Sequence, residues 1–109
     1  MAKYETTSSK DFDKLLEEIE DGIIHGSISS SLEDSSDFIS KNARCSVRVF
    51  ERYSYTGGNR LSLSVTLFKA NNEDINISCI ASGGSNATFF KINTFGESAF
   101  LDKIKDILE

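Results

Sequence analysis

Glu51, His25 and Cys45 are the side chains whose types could do chemistry. Glu51 lies in the run Val49-Phe50-Glu51-Arg52-Tyr53, where apolar and polar residues alternate. On the apolar face of a strand, burial would keep its carboxyl protonated unless a cation paired with it, and ligand-orienting acids are made this way. Glu51, Tyr53 and Tyr55 would then line a pocket beneath a helix layer, where a small ligand could lie. A bulge that turns Glu51 to water accounts for the same residues without any site. His25 is the only histidine. With Cys45 it would form a thiol–base pair, yet neither residue sits in a recognised nucleophile signature. No C-x-x-C or H-x-x-x-H spacing gathers metal ligands, so no metal and no cofactor are expected.

The element that must position these groups is a hairpin over residues 45–69, with Gly57-Gly58 at its tip. Both arms, CSVRVFERYSY and RLSLSVTLFK, alternate with period two, as strands with one buried face do. A three-residue loop pairs Tyr53 with Leu63 and Val49 with Leu67, which joins the apolar face of one arm to that of the other. A two-residue loop at Gly57-Gly58 flips one arm, because a slip of one residue exchanges the faces. The spacing therefore predicts the odd-length loop. A third strand over 74–82 continues the apolar face, with Ile75 beside Leu67, Ile77 beside Val65 and Cys79 beside Leu63. The opposite face is polar, interrupted by Phe50, Phe68 and Ile80. There Arg48, Phe50, Phe68 and Ile80 form an apolar spot rimmed by charge, suited to a homodimer or partner contact.

Around this meander the chain supplies covers. Residues 3–7 suggest a short edge strand. Ser8 or Ser9 is expected to cap a helix to about Asp21, with Phe12, Leu15, Leu16 and Ile19 as one apolar stripe and Gly22 as the stop. A strand is expected over 23–32 and a polar connection over 33–44, with Phe38-Ile39 tucked against the core. After Gly83-Gly84-Ser85-Asn86, residues 87–92 suggest a returning strand. Thr94 to Glu97 matches a capping box for a final helix whose stripe is Phe100, Leu101, Ile104, Ile107 and Leu108. The order predicts one α+β domain: a two-layer sandwich, with an antiparallel meander sheet of four or five strands and N- and C-terminal helices on one face. A helix-grip or TBP-like arrangement has this order.

The stretch Ala81-Ser82-Gly83-Gly84-Ser85-Asn86, followed by Phe89-Phe90-Lys91-Ile92-Asn93-Thr94-Phe95-Gly96-Glu97, resembles a family of short bacterial proteins typical of Firmicutes, classed as a domain of unknown function. The resemblance covers most of the chain. It implies a small bacterial protein of unassigned activity and brings no catalytic residues with it.

Composition narrows the classes further. The 109-residue chain carries a formal net charge of -5, which argues against nucleic acid and anionic membrane surfaces as partners. No apolar run is long enough to span a bilayer, and the polar start, Met1-Ala2-Lys3-Tyr4-Glu5, has no leader pattern, so a cytoplasmic protein is expected. The proposed register sets Cys45 and Cys79 roughly 26 Å apart along the strands, too far for a disulfide. The function expected from all this is a non-enzymatic binding or interaction role. The alternative is a small enzyme or ligand-binding protein that uses Glu51 or the Cys45/His25 pair.

Overall fold

The computed structural model describes residues 2–26, 29–53, 60–83, 101–102 and 104–108. Its elements are β1 (Ala2–Ser8), α1 (Phe12–His25), β2 (Ser31–Ser40), β3 (Ala43–Tyr53), β4 (Arg60–Ala70) and β5 (Ile75–Gly83), with a short helix at 101–102 and 104–108. The strands form one antiparallel five-stranded sheet in the order β1-β5-β4-β3-β2. β1 thus closes on the last strand rather than the first neighbour in sequence. Both helices lie on one side of the sheet, and the α+β class is as expected. The expected returning strand at 87–92 and the capping box at Thr94 lie outside the described residues, as does the Gly57-Gly58 tip.

Alternation did its work cleanly in β4 and β5. Leu61, Leu63, Val65 and Leu67 are buried under the helices together with Ile75, Ile77, Cys79 and Ala81. The two strands pair on the predicted faces but two residues further along, with Leu67 opposite Ile77 and Val65 opposite Cys79. The turn between them closes through Glu73 N–H donating to the Ala70 carbonyl at 3.1 Å. Asn71 takes a left-handed φ of 56° there, a conformation that asparagine tolerates better than most residues.

β3 reverses the expected arrangement. Tyr53 pairs with Arg60, Phe50 with Leu63, Arg48 with Val65 and Ser46 with Leu67. The side of β3 beneath the helices is therefore Ser46, Arg48 and Phe50, all buried, while Val47 and Val49 are half-buried on the open side. Two physical reasons stand out. Both faces of β3 carry apolar residues, so alternation there discriminates weakly, and the large Phe50 ring gains more from burial than a valine does. Second, Arg48 meets a carboxylate of α1, so its burial is compensated.

The helix is also longer than its glycine suggested. Asp11, not a serine, is the N-cap, and its side chain accepts from Lys14 N–H at 3.1 Å. Phe12, Leu15, Leu16, Ile19 and Ile23 make the buried stripe. Gly22 lies inside the helix rather than after it: a Cβ there would come within 2.5 Å of Ile107 Cδ1. The glycine lets the C-terminal helix, with Leu101 and Ile104 buried, pack closely against α1. Residues 23–25 consequently finish the helix instead of opening a strand. The expected polar connection over 33–44 is mostly β2, an edge strand whose ten residues are all exposed. Its serines and acids show no buried face, and that concealed it from a reading based on alternation.

Candidate functional site

The register of β3 creates a polar cluster on the helix side of the sheet, beyond the aliphatic core. Arg48 is its centre. Its Nε donates to Glu20 Oε1 of α1 at 3.1 Å, and its Nη1 reaches Asp37 Oδ1 of β2 at the same distance. Nη1 also donates to the Val47 carbonyl at 3.0 Å. Ser46 Oγ donates to Asp37 Oδ1 at 2.6 Å. Burial works against the Arg48 charge, but the bonds to Asp37 and Glu20 outweigh it and hold the guanidinium above its ordinary range. The Ser46 hydroxyl, and then Arg48, hold Asp37 below the usual carboxylate range. Two helical turns toward the N-terminus of α1, Arg44 repeats the arrangement. Its Nη2 pairs with Asp13 Oδ1 at 2.5 Å, and its guanidinium lies 4.1 Å from the centre of the Phe12 ring. Together these pairs fasten α1 to β3 and β2. The signal in the sequence was the i, i+7 spacing of Asp13 and Glu20 against the i, i+4 spacing of Arg44 and Arg48, visible only once the strand's face was known.

Glu51 and Tyr53 do not line a pocket beneath the helices. Glu51 and Tyr53 are on the open side of β3, and Tyr55 lies outside the described residues. Glu51 pairs closely with Arg60 across the strands, and Ser62 Oγ donates to it at 3.4 Å. Arg60 also lies 5.4 Å from the centre of the exposed Tyr53 ring.

Of the expected patch, the structure keeps Phe68 and Ile80 on the open face. It moves Arg48 and Phe50 to the covered one. What joins Phe68 instead is a cross-strand ladder, since Cys45 pairs with Phe68 on one side and with Phe38 on the other. Phe38 and Phe68 are 64% and 42% exposed, large values for aromatic side chains one strand apart from a shared neighbour. Two shallow depressions flank Phe68. One, of about 300 Å³, is lined by Phe38, Cys45 and Ala43 among others. The second, of about 370 Å³, runs across Thr66, Asn76 and Ser78 to Glu5 and Thr7 of β1. Sequence reasoning missed Phe38 because it placed the residue in a loop.

The full length of the chain, residues 1–109, matches the model of a family of unknown function, DUF6054. The chain belongs to that family. No curated protein and no solved structure matches it significantly. The expected resemblance to a domain of unknown function thus holds, and the DUF6054 description assigns no chemistry to test against the fold. Within this DUF6054 chain the Cys45/His25 pair is not assembled, since Cys45 is on the open side of the sheet and His25 is in the last turn of α1 on the other side. Both cysteines are free, as expected. Burial pushes the Cys79 thiol up to about 12, so it behaves as a small apolar core residue. Among the described residues no group of three or more His, Cys, Asp and Glu side chains could hold a metal ion, and no helix is long and apolar enough to cross a membrane.

Proposed function

We propose that this DUF6054 protein is a non-enzymatic interaction domain that works through the open face of its sheet, with a second copy of itself as the partner. The observation that carries this reading is the exposed Phe38–Cys45–Phe68 ladder. Exposed aromatic residues on either side of a shared cysteine, with polar serines and threonines around them, have the composition of an interface centre and rim. The ion pairs elsewhere support it too: Arg48, Arg44 and Glu51 each have a charged partner within the chain. The enzyme reading depended on a buried Glu51 or a Cys45/His25 couple, and neither geometry is present.

The test is light scattering coupled to size exclusion, over a range of concentrations, on the parent protein and on Phe68→Ser. The expected result is a dimer for the parent and a monomer for the variant, with unchanged far-ultraviolet circular dichroism. A parent that is monomeric at every concentration would overturn the reading.

A further inference from the structure

A second feature lies at the end of the sheet where the β2–β3 and β4–β5 turns meet. The two turns are tied together, because Asn71 N–H donates to the Asn42 carbonyl at 2.5 Å. Beside this tie is a polar hollow of about 500 Å³, lined by Lys41, Asn42, Arg44, Lys69, Asn71 and Asn72 with two apolar neighbours. That volume falls within the range of small-molecule sites. No carboxylate lines the hollow, in a chain whose formal net charge is -5.

The charges around it do not balance. Arg44 is compensated by Asp13 through one arm. Lys41 and Lys69 have no ion-pair partner among the described residues. The Arg44 Nε–H is buried and donates to no acceptor. Two uncompensated lysines match the charge of a phosphate monoester, which carries about -1.5 to -2 at neutral pH. The three asparagines offer amide donors for the remaining oxygens. We infer that this hollow is a binding site for a phosphorylated small molecule, with Lys41 and Lys69 holding the phosphoryl oxygens and the asparagine amides donating to the rest. The hollow adjoins the depression beside Phe38 and Phe68 and shares Ile39, Ala43 and Arg44 with it, but the two lysines that define it are not part of that depression.

The experiment is a titration of the full-length, ¹⁵N-labelled protein with inorganic pyrophosphate at constant ionic strength, followed by amide resonances. Saturable shifts are expected at Asn42, Lys69 and Asn71. The double variant Lys41→Ala/Lys69→Ala, which alters no core residue, should raise the Kd at least about tenfold, since charge-assisted hydrogen bonds of this kind are worth more than a single decade of affinity. Shifts no larger than those produced by sodium chloride, or equal affinity in the double variant, would sink the assignment. Citrate binding as tightly as pyrophosphate would sink its phosphate specificity.

Discussion

The helix side of the sheet is two different interfaces laid next to each other. Over β5 and β4, α1 sits on Leu61, Leu63, Val65, Leu67, Ile75 and Ile77, all buried and all apolar. Over β3 and β2 the same helix is held by Arg44 and Arg48, reaching to Asp13, Glu20 and Asp37. The first interface is non-directional and scales with apolar area. The second is directional, because each ion pair must find its partner at hydrogen-bond distance before burial of the arginine is tolerable. The apolar half therefore supplies the bulk of the stability. The charged half fixes which residues of β3 face the helix.

Truncation should separate the two halves most strongly in the apolar one. Leu63→Ala removes a fully buried side chain beside Phe50 and should lower the unfolding free energy by about 2–5 kcal/mol in denaturant titration. A loss below about 1 kcal/mol would mean that the helices do not bear on β4 as described.

The charged half should respond less, and in a way that depends on shape. Arg48→Ala leaves Glu20 and Asp37 without their cation. Those carboxylates are 31% and 49% exposed against 10% for the arginine side chain, so water can recover them. A loss of about 1–3 kcal/mol is expected. Arg48→Met keeps the apolar stem and should stay within about 1 kcal/mol of the parent, since apolar replacements of buried ion pairs are often neutral. If the methionine variant is as damaged as the alanine one, the ion pairs contribute stability as well as orientation.

The smallest effect is a pH dependence. The Asp37 carboxyl has a lowered folded-state value, chiefly through Ser46 and then Arg48. A group depressed in the folded state contributes stability that is present above its unfolded value, about 3.9, and is lost as pH falls through the folded value. Asp37→Asn should therefore flatten the fall in thermal stability below about pH 4 while changing little at neutral pH. An acid limb identical to that of the parent would show that Asp37 is not linked to folding.

The individual strands differ in how much of this arrangement their residues disclose. In β4 and β5 the contrast between leucine or isoleucine on one face and serine or threonine on the other is complete, and their buried face was legible. In β3 the contrast fails, with Val47 and Val49 on one face and Phe50 on the other. A register chosen to match apolar residues to apolar residues then selects the wrong face. That one error moved Glu51 and Tyr53 beneath the helices and Arg48 and Phe50 out to the solvent. β2 has no apolar alternation and all ten of its residues are exposed, so the pattern on which strand recognition rests is absent. The Phe38–Cys45–Phe68 ladder was hidden for the same reason, since its first member lies on β2 and its second on β3.

The sequence by itself determined the class of the fold, the stripe Phe12, Leu15, Leu16 and Ile19 on α1, the core face of β4 and β5, and membership in a family of unknown function. These follow from local periodicity and from similarity along the chain, which need no knowledge of neighbours. Tertiary structure alone decided which face of β3 is buried, why Gly22 lies inside a helix, and which residues meet on the open face and around the hollow at its end. Each of those depends on groups far apart in the chain: carboxylates of α1 for the arginines of β3, Ile107 for Gly22, Phe38 for Phe68, and the Asn42 carbonyl for the Asn71 N–H. Their energies exist only at contact distance, and only the folded chain brings them to it.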